Sequence, residues 1–376
     1  MAAFRIRYVS AARGGGDGSW ATPWTLAEAV TAGTGCLPGD EVRVLNDGTY
    51  SLAGNTTLAN DGTAESHILW IGRKTDDSAY ESAYINCVTY YFRINANFIK
   101  WFYIDCYGTA TNYPFYISSA VIIYRSKFKN GNTTTTTGPA NAVYLNVMGA
   151  DLIECYCENS LSNNISISTS QGAVSSLLKG HIINCKIVTK NIGLRFSPAA
   201  GGAIIHGNLI IGNGAGKGVE SVSNLATAYV NSITHNTIYN FNYGIYFNNL
   251  EIETAVTNAP LSIINNLFHT IKDPNPSTDP LQNGYCIYTP ESVNKPNNLV
   301  KLNKYYNCDN FSNSKISACF HEIENEECTS DPFTYTDPNP SFDATHPDYS
   351  LNNVSGGGLS CKEIDAYPAF NYYWNH

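Results

Sequence analysis

Two carboxylates and one arginine recur at one place in a short repeated motif, and general acid–base chemistry could use such a set. Asp105, Arg125 and Glu154 each precede the central residue of one motif copy. If equal positions stack, Asp105 and Glu154 lie on either side of Arg125, about 9–10 Å apart. A retaining glycosidase needs carboxylates about 5–5.5 Å apart, and an inverting one about 6.5–9.5 Å. Because Arg125 fills the gap, a neutralised structural ladder is favoured, with a catalytic pair as the alternative.

The motif places an apolar residue three positions before a central Cys, Ser or Asn, and another two positions after it. One clear copy is Ile182-Ile183-Asn184-Cys185-Lys186-Ile187, and successive copies lie 20 to 37 residues apart. Self-similarity at such a period indicates a stacked repeat protein. The central residues, which we expect to form one inward structural ladder, are Cys106, Ser126, Cys155, Cys185, Asn208, Asn236, Asn266 and Asn303.

The residue types in the motif predict strands rather than helices. Each copy is short and rich in β-branched residues, and Asn and Gly turns separate the copies. One copy per coil of a parallel β-solenoid places the coils about 4.8 Å apart. Stacked Asn amides can then hydrogen-bond along the axis. Strict alternation cannot turn both apolar columns and the central column inward, so we expect a corner beside the central residue.

Composition excludes several classes of function. Hydrophobic residues make up 43% of the 376 residues and charged residues only 14%, well below the roughly 25% of typical soluble domains. The net charge of −9 and the lack of Lys/Arg clusters argue against nucleic-acid binding. No segment reaches the length of a membrane span, and the first residues lack the apolar core of a signal peptide. With 26 Tyr, the predicted surface suits a virion or, alternatively, an extracellular location.

The cysteines favour free thiols over a disulfide framework. There are eleven, an odd number, and several fall in the predicted interior column. The sequence leaves open whether any bonds form among Cys286, Cys308, Cys319, Cys328 and Cys361. His321 lies beside this group, but the spacing matches no closed zinc site. We therefore expect neither a metal nor a cofactor.

The pattern divides the chain into three parts. Residues 1–50 are predicted as an N-terminal cap with the first strands, 51–310 as β-helix coils, and 311–376 as an irregular C-terminal cap with an aromatic end. Within the first part, Thr22 precedes a proline and an amphipathic run to Val30, which predicts a short capping helix. Such a helix would cover the open edge of the first coil.

Two segments resemble right-handed parallel β-helix proteins of the pectin-lyase-like group. The opening segment of those proteins resembles Pro38-Gly39-Asp40-Glu41-Val42-Arg43-Val44, which closes with Gly48-Thr49-Tyr50 in this chain. Their closing segment resembles Asp348-Tyr349-Ser350-Leu351 and Ile364-Asp365-Ala366-Tyr367-Pro368. The resemblance implies an all-β, single-stranded right-handed parallel β-helix. This fold hosts lyases, hydrolases, adhesins and phage virion proteins.

The resemblance also sets out the competing functions. Pectate-lyase-like enzymes need clustered aspartates for calcium and a poised arginine, and no Arg-x-Pro-x-x-Arg or Gly-His-Gly motif occurs here. The main hypothesis is a non-catalytic structural protein of a phage virion, a tail or capsid surface component. Its expected partners are itself, most simply as a trimer, other virion proteins and host glycans. The alternatives are a polysaccharide lyase or glycosidase and a secreted adhesin. Tyr107 and Tyr156 are the candidates for stacking on sugar rings.

Overall fold

The computed structural model describes residues 5–31, 35–109, 113–131, 141–145, 150–159, 165–169, 180–196, 203–221, 230–247, 262–273, 284–290, 298–314 and 320–332. These residues form a right-handed parallel β-helix, which confirms the predicted fold class. Each coil adds one strand to each of three sheets, in the order sheet 1, sheet 2, sheet 3, and every strand pairing between coils in these residues is parallel. Within the predicted C-terminal cap, residues 311–376, the strands Phe320–Ile323 and Glu326–Glu327 still add to two of the sheets, and residues beyond 332 lie outside the described residues.

In the described residues the three sheets have twelve, eleven and ten strands. Sheet 1 comprises Arg5–Val9, Asp40–Leu45, Ile68–Arg73, Ile99–Phe102, Val121–Tyr124, Asp151–Ile153, His181–Ile183, Ala203–His206, Val230–Thr234, Ser262–Ile264, Asn298–Lys301 and Phe320–Ile323. Sheet 2 comprises Thr49–Ser51, Ala83–Val88, Ile104–Gly108, Lys127–Asn130, Tyr156–Asn159, Lys186–Thr189, Leu209–Ile211, Thr237–Phe241, Leu267–Ile271, Lys304–Tyr306 and Glu326–Glu327. Sheet 3 comprises Thr56–Leu58, Phe92–Ile94, Phe115–Ile117, Val143–Leu145, Ile165–Thr169, Ile192–Phe196, Lys217–Ser221, Tyr243–Phe247, Tyr285–Tyr288 and Asn310–Ser312.

The core is built from columns of apolar side chains at equal register positions. Because successive side chains of a strand point to opposite faces, each sheet turns alternate positions inward. The sheet 1 column, at most 2% exposed, is Val42, Trp70, Trp101, Ile123, Leu152, Ile182, Ile205, Ile233, Ile263 and Val300. The sheet 3 column, also nearly fully buried, is Phe92, Phe115, Val143, Ile167, Leu194, Val219, Ile245 and Ile287.

A sharp corner separates sheet 1 from sheet 2. The residue before each central residue has a left-handed φ, 48° at Arg125, 53° at Glu154 and 52° at Asn184. One residue in this conformation turns the chain, so the next side chain points into the core although its strand neighbours alternate. This corner lies beside the central residue, as the spacing of the inward positions in the motif predicts.

An asparagine ladder runs along the inside of this corner. Asn236 is fully buried, and its Oδ1 accepts hydrogen bonds from the backbone N–H and the Nδ2 of Asn208, both at 2.9 Å. Its own Nδ2 donates to Oδ1 of Asn266 at 3.0 Å. Asn303 extends the ladder to Asn325, which the sequence pattern missed. Every rung therefore satisfies a buried backbone donor and a neighbouring amide.

Cysteine thiols occupy the same column earlier in the chain. The thiols of Cys155 and Cys185 donate to the carbonyls of Ile123 and Leu152, at 3.7 and 3.4 Å. They point at the same kind of carbonyl acceptor as the Asn amides, which donate to Ile182, Ile205, Ile233 and Ile263. Among the described residues, Cys286, Cys308 and Cys328 also carry free thiols. Cys319 and Cys361 lie outside that part of the chain.

One predicted rung is wrong. Cys106 pairs in register with Phe128, two positions beyond the central column. Ile104 stands in the column instead, and its backbone N–H donates to Oγ of Ser126 at 3.2 Å. Tyr103, with φ 54°, forms the corner that was expected at Asp105. The error arises because a large apolar residue can fill this corner, so the cysteine letters alone do not mark the register.

The predicted helical cap at the N-terminus is not supported. Residues 22–24 are not helical, and Trp24 pairs through its backbone with Tyr8 and Ser10. Only the five residues Leu26–Val30 are helical, beginning after a capping box between Thr25 and Glu28. The terminal strand of sheet 1 is Arg5–Val9, so a strand rather than a helix forms that edge.

Candidate functional site

The structure brings two of the three predicted acid–base residues together. Nε of Arg125 donates to Oε2 of Glu154 at 2.6 Å, and the two residues occupy the same corner in adjacent coils. On the other side of Arg125 stands the hydroxyl of Tyr103, at 3.4 Å, and not Asp105. The expected three-residue ladder with two flanking carboxylates is therefore wrong, since Asp105 lies two positions further along its strand.

Asp105 lies instead on the outer face of sheet 2. It is only 7% exposed, and its Oδ1 accepts a hydrogen bond from the backbone N–H of Lys127 at 2.8 Å. Burial raises the pKa of this carboxyl to about 6, although the hydrogen bond from Lys127 opposes the rise. Ionisation of Asp105 is therefore less favourable in the native protein than in the unfolded chain.

Asp105→Asn is expected to stabilise the protein at pH 8 by roughly 2–3 kcal/mol, since each pKa unit corresponds to 1.36 kcal/mol. A raised pKa in the native state means that the unfolded chain loses its proton first. Wild-type stability should therefore fall as pH rises from about 4 to about 6, and this component should vanish in the variant. Urea unfolding at pH 4 and pH 8 measures the difference.

Asp76→Asn is the control of opposite sign, because hydrogen bonds from Ser78 lower the pKa of Asp76. That variant should lose stability at pH 8 and not below the carboxyl pKa. Equal stability of Asp105→Asn and wild type at both pH values would contradict a raised pKa at Asp105.

The two tyrosines predicted to stack on sugars lie on the same face of sheet 2. Tyr156 is 9% exposed, and its hydroxyl donates to Oε2 of Glu158 at 2.9 Å. Lys129 forms an ion pair with the other oxygen of Glu158 at 2.9 Å. Tyr107 packs edge-on against Tyr84 with ring centroids 5.1 Å apart. Tyr156 is thus part of a buried polar cluster rather than an open stacking platform.

A different surface combines aromatic rings with charge. The outer column of sheet 3, called here the sheet 3 row, runs through consecutive register positions and has Ser168 between Tyr144 and Arg195. At about 4.8 Å per coil the row extends for roughly 34 Å. Besides Ser168, the row contains, in chain order, Arg93, Tyr116, Tyr144, Arg195, Glu220, Tyr246 and Tyr288.

The centre of the sheet 3 row is a charged cluster. Nε of Arg195 lies 2.5 Å from Oε2 of Glu220, and Nζ of Lys217 forms an ion pair with Oε1. Glu220 is 3% exposed, so its two oxygens hold both cations in place. Nζ of Lys217 also lies 3.7 Å from the ring centroid of Tyr246, a cation–π contact. Two cations share one carboxylate, which leaves the cluster with a formal charge of +1.

Tyrosine clusters flank this centre on both sides. On one side the rings of Tyr113 and Tyr144 stack with centroids 4.7 Å apart, and Arg93 lies over the ring of Tyr116. Partly exposed tyrosine rings of this kind present flat, amphipathic faces suited to sugar rings. The clusters comprise Tyr91, Tyr113, Tyr116 and Tyr144 on one side and Tyr246, Tyr285 and Tyr288 on the other, where Tyr246 and Tyr288 contact the buried ring of Tyr243.

A sequence signal for the sheet 3 row exists, but the motif search did not use it. Four strands share a small residue followed by a buried apolar residue and then a row residue. At Gly218 an added Cβ would lie 2.5 Å from a methyl group of Ile238, which explains the small residue. The four copies are Ile192-Gly193-Leu194-Arg195, Lys217-Gly218-Val219-Glu220, Tyr243-Gly244-Ile245-Tyr246 and Tyr285-Cys286-Ile287-Tyr288.

Two further searches of the described residues bear on the site. They contain no group of three or more His, Cys, Asp or Glu side chains placed to hold a metal ion. Within the same part of the chain, no helix has the length and apolar character needed to span a membrane.

Comparison with known proteins supports the fold. No protein-family model and no curated protein matches the chain. It is similar to the GH136 lacto-N-biosidase from Eubacterium ramulus, with TM-score 0.51 and 10% identity over 86% of this chain and 67% of that one. A mannuronic acid specific family 6 polysaccharide lyase from human gut microbiota gives 0.49 and 12% over 86% and 82%. Pectate lyase Pel9A gives 0.47 and 14% over 70% and 75%. At these identities the likeness concerns the parallel β-helix alone.

Proposed function

We propose that this protein binds an acidic polysaccharide along the sheet 3 row and cleaves it by β-elimination at the cluster of Arg195, Lys217 and Glu220. The observation that carries the proposal is the row itself, in which two tyrosine clusters flank two half-buried cations that share one buried carboxylate. An extended glycan could contact several coils at once, because the row is roughly 34 Å long.

The charge of the row favours an acidic polymer. The whole chain has a net charge of −9, yet the central cluster has +1 and Arg93 adds a third cation further along. A guanidinium pairs with a carboxylate through two parallel hydrogen bonds, so Arg195 suits the carboxylate of a uronic acid. Tyrosine rings supply binding area that does not depend on charge.

The ion pairs of Glu220 favour elimination over hydrolysis. A glycosidase needs one protonated carboxyl as acid and a second carboxylate as base or nucleophile. Glu220 is the one carboxylate in the described residues of the row, and each of its oxygens is paired with a cation. It is therefore suited to positioning cations and not to donating a proton.

The residues of the cluster have distinct roles in the proposed reaction. Arg195 neutralises the uronate carboxylate and so stabilises the negative charge that develops when the adjacent proton is removed. Lys217 is assigned to proton transfer, and Glu220 is a positioning residue for both cations. Water accepts the proton next to the carboxylate, and a carbon–carbon double bond forms as the glycosidic bond breaks. The ammonium of Lys217 gives a proton to the leaving glycosidic oxygen and is then reprotonated from solvent.

This proposal takes up the alternative from the sequence in place of the main hypothesis of a non-catalytic virion protein. The solved structures with a similar fold include enzymes named as polysaccharide lyases, which agrees with it. The expected virion location, trimeric assembly and virion partners stay predictions from the sequence, and they are compatible with a surface enzyme.

Wild-type protein is expected to bind and cleave at least one of polygalacturonate, alginate and hyaluronate, and not carboxyl-reduced polygalacturonate. Unsaturated products and new reducing ends should appear together, because elimination creates both at each cut. Retention in affinity electrophoresis should weaken with added salt, since the contact is partly ionic. Reducing ends without unsaturation would instead establish a hydrolase, and the absence of binding at low salt would remove the proposal.

A further inference from the structure

A second constellation of reactive side chains, which does not include any member of the sheet 3 row, lies at the end of sheet 2. The hydroxyl oxygen of Thr270 lies 2.9 Å from Nδ1 of His269, and Nε2 of His269 lies 3.1 Å from Oδ1 of Asp331. Nδ2 of Asn307 donates to the same hydroxyl oxygen at 3.2 Å. Both distances at His269 fall within the range in which a nucleophile, a base and an orienting carboxylate act together.

The protonation pattern of these four residues is self-consistent. With its proton on Nε2, His269 donates to the carboxylate of Asp331 and accepts from the hydroxyl of Thr270 at Nδ1. The hydroxyl of Thr270 then donates to the histidine and accepts from Asn307. Desolvation lowers the pKa of His269 although Asp331 opposes this, so the ring is a neutral base near pH 7.

The backbone at Thr270 is strained. Its φ is 54°, a left-handed conformation that a β-branched residue rarely adopts. Asn240 and Asn307, in the coils before and after, have the same conformation with φ 64° and 52°. Asparagine tolerates this region because its side chain bonds locally, whereas threonine costs about 1–3 kcal/mol. A strained hydroxyl residue replaces asparagine at one coil, and that coil is the one with the histidine and the carboxylate.

The surroundings fix the base and leave the hydroxyl accessible. His269 is 3% exposed, with its ring between those of Tyr239 and Tyr306 at centroid distances of 5.1 Å on each side. Thr270 is half-buried and Asn307 is exposed, so a small group can approach the hydroxyl from solvent. The same coil contributes Tyr285–Tyr288 to sheet 3, which places this site beside one end of the sheet 3 row.

We propose that Thr270, His269 and Asp331 form an ester-hydrolysing site that removes small acyl groups, such as acetyl, from sugar hydroxyls. The choice of a sugar ester rests on the proposed polysaccharide function, whereas the esterase chemistry rests on the geometry alone. Asn307 donates to Oγ1 of Thr270 itself, so it is a positioning residue for the nucleophile. Thr270 and His269 are catalytic residues, and Asp331 is a positioning residue.

The reaction balances with water as the only co-reactant. Thr270 Oγ1 attacks the ester carbonyl carbon while its proton passes to Nδ1 of His269. The tetrahedral intermediate collapses, the bond to the sugar oxygen breaks, and that oxygen takes the proton from His269. Water then attacks the acyl-threonine with His269 as base, which releases the carboxylic acid and restores the hydroxyl.

The test uses the full-length protein with p-nitrophenyl acetate and, separately, with O-acetylated polygalacturonate. Thr270→Val and His269→Gln should each lower the esterase rate by about a hundredfold or more, the usual contribution of such groups. Thr270→Ser should retain activity. Asp331→Asn should lower kcat with little change in KM, and mass spectrometry should find an isopropyl-fluorophosphonate adduct on Thr270.

Thr270→Asn separates catalysis from structure. It installs the residue found at the equivalent positions 240 and 307, so it should raise stability while abolishing esterase activity. His235→Gln is the control for ordinary histidine reactivity, because His235 also contacts an asparagine and a second aromatic ring. Activity that survives in both Thr270→Val and Thr270→Asn would overturn the proposal. Cleavage of p-nitrophenyl acetate without any polysaccharide binding would keep the esterase site and remove the polysaccharide function.

Discussion

Asn236→Leu is expected to lower the free energy of unfolding by about 4 kcal/mol, because several buried polar groups lose their partners at once. The amide of Asn236 accepts from the N–H and the side chain of Asn208 and donates to the carbonyls of Ile205 and Thr234 and to Asn266. All of these bonds lie in a fully buried column, so no water replaces them. Leucine has a similar volume and supplies none of them.

Urea unfolding followed by far-ultraviolet circular dichroism measures this loss. Asn55→Leu is the matched control, since Asn55 is exposed and its amide oxygen accepts a single bond of 3.3 Å from the N–H of Tyr91. We expect the control to change stability by less than about 1 kcal/mol. Similar midpoints for the two variants would show that the asparagine ladder contributes little to stability.

Arg195→Leu is expected to lower kcat/KM on an acidic polysaccharide by about 10²- to 10³-fold, the usual effect of removing one group that stabilises developing negative charge. The substitution removes the guanidinium that would neutralise the uronate, and the formal charge of the cluster falls from +1 to 0. Glu220 keeps Lys217 as a partner, so no buried carboxylate is left without a cation. The loss should therefore appear in activity rather than in folding.

The chain provides a closely matched control for this variant. Arg125 donates through Nε to Oε2 of Glu154 at 2.6 Å, as Arg195 does to Glu220 at 2.5 Å, but it lies at the corner between sheets 1 and 2. Arg125→Leu should leave polysaccharide turnover unchanged. If both variants lose activity equally, or if Arg195→Leu keeps it, the sheet 3 row is not the active site.

The sequence by itself determined the repeat and the buried columns around the corner. Each motif copy is a local pattern of six residues, and the apolar positions around Ile182 and Cys185 indicate burial without any knowledge of the other coils. The pattern failed where a local choice was ambiguous. In the coil of Cys106, an isoleucine fills the corner, so residue types alone misplaced both Cys106 and Asp105 by two positions.

Only the tertiary structure decided which polar side chains meet. Arg195 and Glu220 are 25 residues apart, and His269 and Asp331 are 62 residues apart. Connections between strands vary in length from coil to coil, so sequence spacing does not show which outward residues share a column. Stacking removes that ambiguity, because hydrogen bonds between parallel strands fix the register to a single residue. The ladder could be predicted because each coil contains its own copy of the motif. Both candidate sites, in contrast, combine residues from different coils.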